Sequence, residues 1–173
     1  MDENKWKECV AFHGHSCPGL AIGARAAEEA GKYFGIDLEC ARDGRIVCVM
    51  ENATCAADAI QYLAGCTMGK SNIFVRDTGK MAFSFFLKDT GMKIRFYYRN
   101  ELRASDRDGK INMILSSPVD DVFSVSLPSF EMPKKGPREK EYECSSCREA
   151  AAESKMFASD DGFLCYDCYN KKN

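Results

Sequence analysis

Four cysteines near the end of the chain, Cys144, Cys147, Cys165 and Cys168, form two Cys-x-x-Cys pairs separated by seventeen residues. Each pair can turn two sulfurs toward one point, and four thiolates close a tetrahedral shell around an ion. The tail therefore reads as one structural zinc site. A pair of disulfides or a redox dithiol fits less well, because a redox motif needs a single Cys-x-x-Cys beside a βαβ pattern that this tail lacks. About forty residues bury too little apolar surface to offset their chain entropy, so the metal would act as a staple.

A second set occupies His13-Gly14-His15-Ser16-Cys17, which holds the only two histidines of the chain. In an extended segment side chains alternate, so His13, His15 and Cys17 would share one face. Imidazole nitrogen and thiolate sulfur suit zinc or another borderline divalent metal, with the fourth position filled from elsewhere or open to water. Pro18 and Gly19 lead into a helix whose N-terminus would favour the Cys17 thiolate. Cys55, at the start of a later helix, is the first candidate for a distal ligand, and Cys66, just past the end of that helix, is the second. Cys9, Cys40 and Cys48 read as small apolar fillers. The simpler alternative for the histidines is a loop satisfied by local hydrogen bonds.

Gly65-Cys66-Thr67-Met68-Gly69-Lys70-Ser71 resembles a phosphate loop but has three residues between its glycines where that loop has four. It also follows a predicted helix instead of a strand. Nucleotide hydrolysis is thereby disfavoured, while Gly65, Gly69 and Lys70 could still form an anion-binding turn through backbone amides.

Positioning these groups requires an α+β core. Residues 6–12 read as helix. Leu20, Ala24, Ala27, Gly31 and Phe34 recur at helical spacing over 20–34, a stripe of small residues that allows close helix approach. Residues 45–51 read as a strand. Thr54 would cap a helix over 55–64, and Gly65 would stop it. Strands follow at 81–87 and 92–98, joined by a turn at 88–91. Residues 111–115 read as helix, Pro118 suits the first position of a short one, and 125–127 reads as a closing strand.

The domain plan is a core at 1–131, a linker at 132–143 where prolines, glycine and charge replace any apolar period, and a four-cysteine zinc ribbon (zinc-finger-like) at 144–173. Net charge is −2, and from Lys134 onward eight basic residues face eight acidic ones. Such neutrality disfavours nucleic acid as a partner of the ribbon. No apolar run reaches membrane-spanning length, and a charged N-terminal stretch does not resemble a secretory signal, so the expectation is a cytoplasmic protein without a membrane. Ten cysteines in a reducing compartment then imply ligation or buried thiols.

Residues 12–23 (Phe-His-Gly-His-Ser-Cys-Pro-Gly-Leu-Ala-Ile-Gly), 51–72 (opening Glu-Asn-Ala-Thr-Cys-Ala-Ala-Asp) and 77–82 (Asp-Thr-Gly-Lys-Met-Ala) resemble, in order and spacing, the formylmethanofuran dehydrogenase E-subunit family. Some members of that family are an α+β core alone, and others add a C-terminal zinc ribbon. The resemblance implies an intertwined homodimer, which the small-residue helix over 20–34 could serve across a two-fold axis. It carries a polar site onto His13, His15, Cys17, Cys55, Cys66, Lys70 and Asp58. The dehydrogenase itself uses a molybdenum or tungsten pterin and iron–sulfur clusters, carried by its other chains. This chain has no cluster-binding run of cysteines.

The leading expectation is a metal-binding accessory or regulatory protein, with one ribbon zinc and a second divalent metal, zinc or another ion, in the core. Its roles would be sensing, delivery or assembly for a molybdenum or tungsten enzyme. The competing class is a metal-dependent enzyme whose open core position activates water or a carbonyl, with Cys17 or Cys55 as ligand or nucleophile and Lys70 as electrostatic stabiliser. A third is a regulator that contacts protein or nucleic acid through the ribbon.

Overall fold

The computed structural model describes residues 1–38, 42–134, 136–160 and 162–172, so Cys40 lies outside the described residues. The chain divides into two compact units, Met1–Pro133 and Lys134–Asn173.

In the first unit α1 (Glu3–His13) starts where the Asp2 carboxylate accepts the amides of Asn4 and Lys5, and it ends at Gly14, whose φ is 93°. α2 (Pro18–Phe34) is capped by Cys17 and opens on Pro18, where the missing N–H has no helical partner to lose. Five strands, β1 (Ile46–Met50), β2 (Ile73–Val75), β3 (Ala82–Leu87), β4 (Lys93–Tyr98) and β5 (Phe123–Ser126), form one sheet in the order β2-β1-β3-β4-β5. Only β1 and β2 pair in parallel, and α3 (Ala56–Ala64) supplies the crossover that a parallel pair requires. β2 went unread in the sequence because three residues carry no alternation. α4 (Arg107–Ser116) and α5 (Val119–Val122) lead into β5.

Every residue of β1 is buried, because both faces of the central strand are covered. Ile46, Cys48 and Met50 join the helix-side core, whereas Val47 and Val49 pack with Phe86 beneath Phe74, Phe130 and Met132. On the helix side Phe85, Phe96 and Phe123 meet edge to face, at 6.2 and 5.5 Å between ring centroids. Arg25, 8% exposed, donates to the Leu115 and Ser117 carbonyls at 2.5 and 3.0 Å and so ties α2 to the end of α4.

Two capping expectations need correction. Thr54 does not cap α3: the cap position belongs to Cys55, which makes no side-chain cap bond, and the Thr54 hydroxyl donates instead to Asn52 Oδ1 at 3.0 Å. Pro118 stands one position before the first turn of α5, as its cap residue.

The small residues of α2 serve α3 of the same chain. A Cβ built on Gly23 would lie 2.6 Å from Ala56 Cα, inside van der Waals contact with backbone that cannot rotate away. The two-fold packing assigned to this stripe from sequence is thus pre-empted by an intrachain contact. Gly23→Ala should cost about 3 kcal/mol in denaturant unfolding. Gly69→Ala, with nothing within 4 Å of its built Cβ, should stay within about 0.5 kcal/mol. Equal stabilities would refute the close packing.

In the second unit β6 (Glu141–Glu143) pairs with β7 (Ala150–Ala152), and β8 (Met156–Ser159) pairs with β9 (Gly162–Cys165), all antiparallel. A 3₁₀ turn (Glu153–Lys155) joins the two ribbons, and α6 (Tyr166–Lys172) follows β9. Residues 141–143, expected in the linker, are therefore strand. Phe157 stacks on Tyr169 at 4.4 Å. Among the described residues no helix is long and apolar enough to cross a membrane.

Candidate metal centres

α1 ends in His13, α2 is capped by Cys17, and Cys55 opens α3, so three chain segments converge at one point. A ligand atom from each of His13, Cys17 and Cys55 lies within 4.8 Å of the other two, a group that could hold a metal ion. Cys17 Sγ stands 3.8 Å from His13 Nε2. A tetrahedral zinc shell has nitrogen–sulfur and sulfur–sulfur edges of about 3.5–3.8 Å, so the spacing fits without rearrangement. Gly19 makes the approach possible, since a Cβ there would press to 3.3 Å from Cys55 Cβ.

The partners of these atoms favour ligation. His13 Nδ1 lies 2.7 Å from Asp58 Oδ2, and an ionised carboxylate only accepts, so Nδ1 carries the proton. Nε2 then keeps its lone pair toward Cys17, the tautomer that a metal requires. Gln61 donates to the other Asp58 oxygen at 3.4 Å. The Leu20 amide donates to Cys17 Sγ at 3.2 Å, which stabilises a thiolate. Burial pushes the Cys55 thiol up, and its hydrogen bond with Cys17 adds to the rise. Two neighbouring sulfurs thus compete for protons that a cation would displace.

His15 does not join the group. The segment is not extended: His13 belongs to a helix and Gly14 reverses the chain, so the alternation that would have aligned His13, His15 and Cys17 never forms. The exposed His15 ring instead lies against His13, 4.6 Å between centroids. Cys66 is fully buried away from these atoms, donating to the Ile46 carbonyl at 3.5 Å, and burial pushes its thiol up to about 12. Lys70 donates its ammonium to the Arg42 carbonyl at 2.8 Å, and its amide donates to Thr67 Oγ1. The Thr67 amide is likewise spent on Asn72, which leaves the 65–71 turn fewer free donors than an anion site needs.

Two contributors escaped the sequence reading. Cys9, taken as filler, is fully buried and its thiol is raised to about 11 by burial and by the nearby charges of Asp58 and Cys17. It precedes His13 by one helical turn, and that spacing was the available signal. Arg107 donates to the Ser16 carbonyl at 2.6 Å and braces the loop between the ligands. A contact between residues ninety positions apart leaves no local signal.

In the second unit Cys144, Cys147, Cys165 and Cys168 offer four sulfurs within 4.8 Å of one another, a second group that could hold a metal ion. Cys147 and Cys165 are 3.8 Å apart, the sulfur–sulfur edge of a tetrahedral site. Amides of Cys147, Cys165 and Ser146 pull the Cys144 thiol down to about 6. For Cys147 the Glu149 amide opposes the rise, but desolvation and hydrogen bonds with the other three sulfurs carry it to about 12. Four thiols at this spacing cannot all ionise without a cation among them.

Residues 12–123 match the family model described as FmdE, Molybdenum formylmethanofuran dehydrogenase operon. Over 92 residues the chain is 32% identical to a "Probable S-adenosyl-L-methionine-binding protein" of Archaeoglobus fulgidus. That stretch is 52% of this chain but 25% of the relative, so the chain spans about a quarter of the length of this curated protein. The crystal structure of a tungsten formylmethanofuran dehydrogenase FmdE-like protein from Syntrophus aciditrophicus is similar with a TM-score of 0.65, at 24% identity, over 97% of this chain and 92% of that one. The two share a fold.

Proposed function

The chain belongs to the FmdE family, and from that premise we propose that it is a metal-binding accessory protein with two centres. One is a structural zinc on Cys144, Cys147, Cys165 and Cys168. The other is a divalent ion, zinc or another borderline metal, held by His13, Cys17 and Cys55. The observation that carries the reading is the His13–Asp58 hydrogen bond of 2.7 Å behind a three-ligand cluster, because a carboxylate that orients an imidazole toward two thiols is the usual outer support of a metal ligand. His15 flanks the fourth position, which water would take.

When bound, the core metal would supply a Lewis acid and a charge around which three chain segments close. Asp58 fixes the His13 tautomer, the Leu20 amide stabilises the Cys17 thiolate, and Arg107 holds the connecting loop. The role that suits these residues is metal sensing, delivery or assembly for a molybdenum or tungsten enzyme, in a reducing, cytoplasmic setting that keeps the thiols free. Association of two copies belongs to the reading on family grounds. With the small residues of α2 committed to α3, exposed apolar side chains such as Tyr97 and Leu127, 40% and 64% exposed, are the surface available for it.

A metal-dependent enzyme is the second reading, favoured by a core group of three ligands where a closed structural site has four. Exposed Phe163 and Tyr166 support a third, protein contact through the ribbon.

Elemental analysis of the freshly purified chain tests the proposal. Two metal equivalents should fall to one in Cys17→Ser/Cys55→Ser and to one in Cys144→Ser/Cys168→Ser. A single zinc lost only with the ribbon cysteines would overturn the core centre.

A further inference from the structure

The sheet face opposite the helices carries a charged cavity that neither metal centre uses. Arg95 alternates along β4 with the core residues Ile94 and Phe96, so it projects from that opposite face. Glu51, one residue past β1, projects beside it. Glu51 is 4% exposed, and both its oxygens are engaged: Oε1 accepts from Arg95 Nε at 2.7 Å and Oε2 from the Thr78 hydroxyl at 2.8 Å. Desolvation works against its charge, yet Arg95 and Thr78 outweigh it and hold the carboxyl below its ordinary range. Since only Nε of Arg95 is spent on Glu51, the two terminal amino groups of that guanidinium have no protein partner among the described residues.

A second guanidinium stands near. Arg76 lies over the Phe130 ring at 4.8 Å to the centroid, and stacking of this kind leaves the in-plane N–H groups free. Arg76, Lys80 and Arg95 line one cavity of about 320 Å³ together with the hydroxyl residues Ser126 and Ser129. Three cations meet one carboxylate there, which leaves an excess of two positive charges in a chain whose net charge is −2. The arrangement is also preorganised: a buried carboxylate fixes one fork and an aromatic ring supports the other. Bidentate forks match tetrahedral and planar oxyanions, and a dianion cancels the local excess where a single carboxylate would leave half of it. The cavity exceeds one phosphate in volume and falls within the range of small-molecule sites.

We propose that this cavity binds a small molecule through a doubly charged phosphate group, held by Arg76, Lys80 and the terminal amino groups of Arg95. The test uses the full-length, metal-loaded chain with inorganic phosphate as probe and succinate as a dicarboxylate control, by calorimetry at low ionic strength. The expected result is saturable binding of one phosphate per chain, tighter than succinate. It should weaken about tenfold or more in Arg76→Ala and in Lys80→Ala, and persist in Cys55→Ser, which removes a core metal ligand and leaves this face intact. Arg76 and Lys80 are exposed and their removal leaves the Glu51–Arg95 pair in place, so unchanged melting curves should accompany the loss. The proposal is overturned by absence of saturable binding at about 10 mM phosphate, by binding indifferent to Arg76→Ala and Lys80→Ala, by preference for succinate, or by loss in Cys55→Ser alone. Dissociation of a dimer by Arg76→Ala without change in phosphate binding would overturn it too, and would assign this face to a second copy.

Discussion

Replacing Cys165 with serine is expected to release one zinc equivalent and to unfold residues 134–173, while Met1–Pro133 keeps its own melting transition. The size of the effect follows from how little else holds the second unit. Among its described residues only Cys144 and Leu164 are buried, and its strands are three or four residues long. A structural zinc in a small cysteine module contributes roughly 10–16 kcal/mol of apparent binding free energy, which is also the free energy of folding. Removing one of four ligands therefore removes more than a unit of this size can replace. Amide NMR resolves the two units, and a chromogenic chelator counts the zinc released. Dispersed second-unit resonances in metal-free Cys165→Ser would show that apolar packing suffices and that the four cysteines serve another purpose.

The second large effect is expected at Asp58. Asp58→Asn should weaken metal binding at the core centre about ten- to hundredfold, while Cys55→Ser should weaken it further. The asparagine keeps the size of the side chain but removes the charge that fixes the His13 proton on Nδ1, so the ligand nitrogen loses basicity and orientation together. Cobalt substitution separates the two causes. The sulfur-to-cobalt absorption should persist in Asp58→Asn and diminish in Cys55→Ser, because only the latter removes a thiolate. Wild-type affinity in Asp58→Asn would mean that the 2.7 Å contact orients nothing.

Much of the first unit was legible because its signals are local. β3 and β4 alternate, α2 repeats its small residues at helical spacing, and the family resemblance rested on ordered short motifs that the match over residues 12–123 bears out. The candidate site was legible only in part. His15 was grouped with His13 and Cys17 by the two-residue period of a strand, but a helix end, a left-handed glycine and a helix cap occupy those positions, and they obey no single period. Asp58 follows Cys55 by three residues in the first turn of α3, a spacing that places both on one helical face. That relation could be read without a structure. What Asp58 would face could not.

The sequence by itself determined which residues are able to ligate, that four cysteines pair in two tight turns, and that the core mixes helices with strands, because these depend on residue chemistry and on separations of a few positions. Tertiary structure alone decided that Cys55 meets His13 and Cys17, that Cys66 and Lys70 turn elsewhere, and that Gly23 closes on Ala56. Each of those outcomes depends on how distant segments pack into one core, and the free energy that selects the packing is spread over dozens of buried side chains with no local pattern to announce it.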